Sequence, residues 1–220
     1  MAIKRPLEQD SPAEVRQQLA KQLRIDSREL ARISADGLYR LRDQLAVDEL
    51  TGVLRRRAGM AALKREIERA RRSGDRSLVL AFVDLDDLKS INDNHGHAAG
   101  DQALRRVAGA LKRRLRRQDL IFRYGGDEFV CVLPNAGMES AQALMLQIWQ
   151  QLHDQHSSGF SVGFADLRDE DDSHTLMARA DECLYAGSRP DRSVVAAVDS
   201  KQRIWPPSGT YELRRARGGA

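Results

Sequence analysis

Leu78 to Val83, LVLAFV, is an unbroken apolar run that passes directly into Asp84. A strand with one wet face alternates apolar and polar residues. A run without alternation has to be covered on both sides, so this segment calls for a central strand between two helical layers. The neighbouring patterns supply the layers. Arg56 to Arg72 is amphipathic around Met60, Leu63 and Ile67, and a short helix through Leu88 and Ile91 follows the strand. From Ala99 to Leu115 the apolar residues Leu104, Val107, Ala108, Leu111 and Leu115 recur at helical spacing, with the arginines on the other side. Leu120–Tyr124 and Glu128–Leu133 flank Gly125-Gly126 and read as a β-hairpin. Residues 139–152 read as a helix, 159–165 as a strand and 173–186 as a helix. The expected fold is α/β, an α+β sandwich with a mixed central sheet flanked by helices.

This main domain is expected over residues 48–197. Residues 1–12 read as disordered and 198–220, with Pro206-Pro207, as a loose tail. Residues 13–47 read as an N-terminal helix capped by Ser11, with Pro12 and Glu14 in the first turn. Val15, Leu19, Leu23, Leu30, Ile33, Leu38, Leu41 and Leu45 give it an apolar stripe that must be covered, by the next domain or by a second copy. Dimerisation through this segment is the expectation.

Composition narrows the function classes. The 220 residues are 31% charged, and no apolar run approaches the roughly 20 residues of a membrane span. The N-terminus lacks the apolar core of a secretory signal, so the cytoplasm is the expected compartment. Cys131 and Cys183 lie far apart within apolar patterns and read as buried thiols. The net charge is +4, concentrated in Lys112–Arg117 and in the C-terminal ELRRARGG. That pattern fits either solvated arginines or an anion-binding patch. With 5% aromatic residues there is no platform for stacking bases, so nucleic acid is not the expected partner.

The chemistry gathers at strand ends. Asp84 closes the apolar strand, while Asp127 and Glu128 follow the two glycines of the hairpin. If the hairpin lies beside the strand, the carboxylates converge. They then repel unless a hard cation such as Mg²⁺ sits between them, taking its other ligands from water and phosphate. An acidic hairpin can equally be a solvated turn. Asn92 and Asp101 can be helix caps. His95 and His97 have metal-ligand spacing but read as structural.

RYGGDEF (Arg123–Phe129) resembles the signature of the GGDEF diguanylate cyclases. DELTGVLRRR (Asp48–Arg57), DLDDLKSINDNHGHAAGD (Asp84–Asp101), SVGFA (Ser161–Ala165) and ADECLY (Ala180–Tyr185) are similar to the other motifs of that family, in order and at its spacing. The resemblance covers residues 48 to 196 and implies that two GTP molecules are condensed into cyclic di-GMP and two pyrophosphates across a homodimer. It implies that Asp84, the carbonyl of Leu85, Asp127 and Glu128 hold Mg²⁺, with Mn²⁺ as an alternative. Asp127 would help deprotonate the attacking hydroxyl. The amides of Asp87 and Leu88 would hold phosphates, and Lys89 would offset developing charge. Asn92 and Asp101 would bind the guanine edge between Leu88 and Leu104. Arg192 would belong to the GTP-binding set, and Arg116 with Asp119 would form an inhibitory site for the product. The competing reading of that last pair is a basic helix end with a capping aspartate.

The chain departs from the family pattern in several places. Arg55 stands for the usual asparagine and Leu88 for an aromatic residue. After Tyr185 the usual lysine and Gly-Arg-Asn group become Ser188, Asp191, Arg192 and Ser193, with Arg189-Pro190 between. The alternative function is therefore a catalytically weak domain that senses cyclic di-GMP or GTP. A basic nucleic-acid-binding protein is the more distant alternative.

Overall fold

The computed structural model describes residues 11–23, 25–73, 77–156, 159–187, 195–198 and 204–205. The expected strand is β2, Leu78–Leu85, at the centre of a seven-stranded sheet. Numbering from the N-terminus, β1 is Leu54–Arg55, β3 is Leu120–Arg123 and β4 is Glu128–Pro134. β5 is Phe160–Asp166, β6 is Val195–Val198 and β7 is Ile204–Trp205. The spatial order is β1-β3-β4-β2-β5-β6-β7. β2 pairs antiparallel with both β4 and β5, whereas β1–β3 and β5–β6 are parallel, so the sheet is mixed.

Both faces of β2 are covered, as its lack of alternation requires. Val79, Ala81, Val83 and Leu85 pack under helices α5 (His97–Arg114) and α6 (Met138–His156). Leu78, Leu80 and Phe82 pack under α3 (Arg56–Ser73) and α7 (Ser173–Gly187). The short helix α4, Leu88–His95, leaves the tip of β2. Each expected strand and helix of the main domain is present. β6 and β7 extend the sheet beyond what the sequence pattern revealed. Cys131 and Cys183 are free and buried.

The N-terminal segment differs from the single helix expected. It forms α1, Pro12–Leu23, and α2, Ala35–Ala46, which pack on each other through Val15, Leu19, Ala20, Leu30 and Leu38. Local polar groups explain the break. Asp26 accepts the Arg28 amide at 2.9 Å and Ser34 accepts the Gly37 amide at 3.2 Å, offering the backbone alternatives to a continuous helix. At the start of α1, Ser11 and Glu14 cap each other as expected, at 2.7 and 3.3 Å. Of the stretches expected to be loose, 1–12 and 198–220, Pro12 opens α1 and Val198 and Ile204–Trp205 lie in strands, while 1–10, 199–203 and 206–220 lie outside the described residues. Among the described residues no helix is long and apolar enough to cross a membrane.

One contact ties α7 to the sheet. A Cβ at Gly163 would stand 2.2 Å from the Ala180 carbonyl oxygen and 2.4 Å from the Leu184 nitrogen. Helix backbone thus rests directly on strand backbone, and neither can yield as a flexible side chain would. Gly163→Ala is expected to destabilise the fold by about 1–3 kcal/mol, measured by chemical denaturation. An unchanged midpoint would contradict this packing.

Candidate active site at the strand tips

Backbone register decides where the acidic residues meet. In the β2–β4 pairing Asp84 stands opposite Glu128, and in the β2–β5 pairing it stands opposite Ser161. Side chains alternate along a strand, so Asp84 lies on the face of Phe82, towards α3 and α7. Glu128 shares that face with Val130. The Leu85 amide donates to the Asp127 carbonyl at 3.1 Å, which extends the ladder into the Gly125-Gly126 bend and holds Asp127 at the same tip. A Cβ at Gly125 would stand 2.1 Å from Glu128 Oε2, so a larger residue there would push the end of the Glu128 side chain aside.

The electrostatics are those of crowded anions. Burial, then the neighbouring Asp127, Glu128, Asp86 and Asp181, push the Asp84 carboxyl up to about 7. Burial followed by Asp127 and Asp181 also raises Glu128, against a downward pull from Arg56. Among the described residues no three His, Cys, Asp or Glu side chains are arranged to hold a metal by themselves. The oxygen set nevertheless fits a hard cation: two or three carboxylates and a main-chain carbonyl, open to solvent, with repulsion that a divalent charge would relieve. Asp84, Leu85, Asp127 and Glu128 are the residues that would hold it.

On the opposite face a cavity of about 270 Å³ is lined by Leu88, Asn92, His97, Gly100, Asp101, Leu104, Arg123, Gly126 and Asp127. It lies just below the roughly 300–1,000 Å³ typical of small-molecule sites. The structure therefore brings together Leu88, Asn92, Asp101 and Leu104, the whole set expected around guanine, beside Asp127. Gly100 makes the room, because a Cβ there would stand 2.0 Å from Asn92 Oδ1. Asp101 sits 3.9 Å from Arg105 across one helical turn, an exposed pair of small worth. His97, read as structural, lines this cavity, while His95 is exposed.

Between strand and cavity, Asp87 takes a left-handed conformation, φ 60°, and makes no side-chain capping bond to α4. The Asp87 side chain thus does not cap the N-terminus of α4, where an anion is favoured. Lys89 is exposed on that turn. Arg116 and Asp119 lie apart from the cleft in a closed turn, with the Asp119 carboxylate accepting the Arg116 amide at 2.6 Å. Burial raises the Asp119 carboxyl, opposed by that bond and the Arg116 charge. Arg192, Ser188 and their neighbours lie outside the described residues.

Arg123, the first residue of RYGGDEF, has a role that the sequence did not reveal. Its guanidinium donates to the Gly126 carbonyl, 3.1 Å from Nε, and to Asp48, 3.3 Å from Nη1. Asp48 also accepts the Thr51 hydroxyl and amide at 2.6 and 3.0 Å. Burial would raise the Asp48 carboxyl, but Thr51 and Arg123 together hold it below the usual range. Arg123 therefore braces the glycine bend against the turn that precedes α3.

Residues 45–193 match the family model described as "Diguanylate cyclase, GGDEF domain". This chain belongs to the GGDEF family. The GGDEF domain is 35% identical over 159 residues to the diguanylate cyclase DgcP of Pseudomonas aeruginosa, covering 69% of this chain and 24% of that protein. It is 35% identical over 163 residues to the diguanylate cyclase DosC of Escherichia coli, covering 70% of this chain and 35% of that one. The chain thus spans only about a quarter to a third of those relatives. Among solved structures it resembles the coiled coil and GGDEF domain of DgcB from Caulobacter crescentus in complex with c-di-GMP. The TM-score is 0.70 at 29% identity, covering 82% of this chain and 97% of that one. The active GGEEF domain of a Vibrio cholerae diguanylate cyclase is also similar, with TM-score 0.59 and 29% identity over 63% of this chain and 93% of that one.

The raised Asp84 carboxyl has a measurable consequence. Its neutral form is favoured in the fold, so in the metal-free domain the Asp84 contribution to stability is fully present near and below pH ~4 and is lost as the pH climbs through about 7. After discounting for solvent screening, the loss is on the order of 2 kcal/mol. Thermal melts in chelator should show this fall, and Asp84→Asn should flatten it. An equal fall in the Asn variant would show that the strain lies elsewhere.

Proposed function

We propose that this chain is a diguanylate cyclase that joins two GTP molecules into cyclic di-GMP and releases two pyrophosphates. The observation that carries the reading is the juxtaposition of a base-sized cavity containing Asn92 and Asp101 with the Asp84–Asp127–Glu128 carboxylates at the strand tips. Guanine presents an N1–H and an exocyclic amino group on one edge, and a carboxylate such as Asp101 accepts both. Leu88 and Leu104 cover the faces of the base. The α4 amides near Asp87 and Leu88 receive phosphate oxygens, and Lys89 offsets charge that develops on them.

A bound Mg²⁺, or Mn²⁺ in its place, supplies charge neutralisation and orientation for the triphosphate. Asp84, the Leu85 carbonyl, Asp127 and Glu128 hold it. Asp127, placed at both the cavity and the carboxylate cluster, accepts the proton of the attacking 3′-hydroxyl. That oxygen bonds to the α-phosphorus of the other nucleotide while the bond from phosphorus to the pyrophosphate oxygen breaks. Each domain holds one nucleotide, so two copies facing across a two-fold axis supply both attacks with the same residues. The α1–α2 segment brings the copies together and raises the local concentration of half-sites. Arg116 and Asp119 bind the dianionic product, the arginine forking onto phosphate or stacking on guanine.

Incubation of purified protein with GTP and Mg²⁺ should yield cyclic di-GMP and pyrophosphate by chromatography, and Asp84→Ala/Asp127→Ala should lower turnover at least a hundredfold. GTP left untouched by the wild type, or a double variant with unchanged turnover, overturns the reading. Nucleotide bound without turnover would identify a sensing module instead. Arg116→Ala should raise the cyclic di-GMP concentration needed for half-inhibition while keeping turnover. Equal inhibition of both forms would remove the product site.

A further inference from the structure

Arg56, the first residue of α3, stands on the carboxylate side of the sheet and has no role in the site as described so far. Its guanidinium carbon lies 3.9 Å from the centre of the Tyr124 ring, and its Nη2 donates to the Tyr124 hydroxyl at 2.8 Å. Tyr124 is itself held edge-on to the buried Phe82, with ring centres 5.4 Å apart and planes at 70°. Phe82 precedes Asp84 by two residues on the same face of β2, so stacked rings connect the core to this arginine. A long, exposed cation that would ordinarily sample many rotamers is held in one place.

That place is electrostatically specific. Among the described residues, Arg56 is the positive group that counters the anions raising Glu128. It is not consumed by an ion pair there. Its hydrogen-bond acceptor is the neutral Tyr124 hydroxyl, and the residue is exposed to solvent. Its position also opposes a local preference. The first turn of α3 holds Arg56 and Arg57 and no acidic residue, although the positive end of a helix disfavours cations by about 0.3–1 kcal/mol each. A local rule broken beside a cluster of carboxylates is a mark of function.

The base cavity lies on the α4/α5 face, and the carboxylates lie at the tips of β2 and β4. Arg56 lies beyond them on the α3/α7 face. A nucleotide with its base in the cavity and its phosphates over the carboxylates would extend towards this guanidinium. We propose that Arg56 is a further substrate-binding residue, whose fixed guanidinium contacts the terminal phosphates of the nucleotide and the pyrophosphate that leaves. The inference rests on the reading of the cavity as a guanine nucleotide site.

Calorimetric titration of the full chain with a Mg²⁺-bound, non-hydrolysable GTP analogue and, separately, with GMP tests it. Both ligands carry the base, and only the first carries the terminal phosphates. Arg56→Gln should weaken the analogue about tenfold and leave GMP within about twofold, the worth of one charge-assisted hydrogen bond. Arg56→Lys keeps the charge but loses the fork, and should fall between. Tyr124→Phe keeps the ring and should cost less than Arg56→Gln. If Arg56→Gln weakens both ligands equally, the residue only braces the hairpin, and if it weakens neither, it is a surface cation. Either result overturns the proposal. Should Arg56→Gln fail to fold, the same comparison on Arg56→Lys decides: a loss confined to the analogue supports the contact, and equal losses or none overturn it. A wild type that binds neither ligand removes the guanine nucleotide reading itself, a result distinct from selective failure of the variant.

Discussion

Asp84 opposite Glu128, at the last rung of the β2–β4 ladder, is the pairing on which the rest of the site depends. Seven register partners, from Leu78–Pro134 to Asp84–Glu128, hold the two strands, and both faces of β2 are buried. A slip of one residue would swing Asp84 to the other face and expose half of the apolar set, so the register is fixed by burial over its whole length. The price is two carboxylates held side by side where burial already disfavours charge. Such a site is poised for a cation because the fold cannot separate the charges without giving up its central strand.

The sheet also divides the labour. One face carries the cavity with Asn92, Asp101 and Leu104, presented by α4 and α5. The other carries Asp84, Glu128, Tyr124 and Arg56, presented by strand tips and the start of α3. Asp127 sits at the crossing, in a bend with no side chains at 125 and 126 to block approach from either side. Arg123 spans the two, bonded to Gly126 at the bend and to Asp48 in the turn before α3. The turn that follows α2 is therefore tied through Arg123 to the bend that carries Asp127.

The N-terminal helices show the same preference for local closure. An apolar stripe that requires cover in a single helix is partly covered once the chain folds back at Asp26–Ser34. Leu23, 38% exposed, is the large apolar residue left outside. Any pairing of copies through this segment would use the outer surfaces of a helical hairpin.

Much of this was legible in the residues themselves. The unbroken LVLAFV run demanded a doubly covered strand, the glycine pair demanded a hairpin, and the order of motifs identified the family. Asn92, Asp101, Leu88 and Leu104 could be grouped only through the family resemblance, since by spacing alone Asn92 and Asp101 read as helix caps. The two-helix N-terminus was missed because its periodicity continues through the break, and only capping side chains interrupt the backbone. β6 was missed because its partner β5 lies on the far side of α7, and β7 because a two-residue strand paired with the neighbouring β6 is too short to leave a pattern. The roles of Arg123 and Arg56 required tertiary structure for a similar reason. The contacts of Arg56 with Tyr124 and of Arg123 with Asp48 join elements 68 and 75 residues apart in sequence. The sequence by itself determined which residue types lie at the strand ends and which layers cover them, since burial and spacing are local demands. Only the folded sheet decided which charges face one another, because register between distant strands sets those distances.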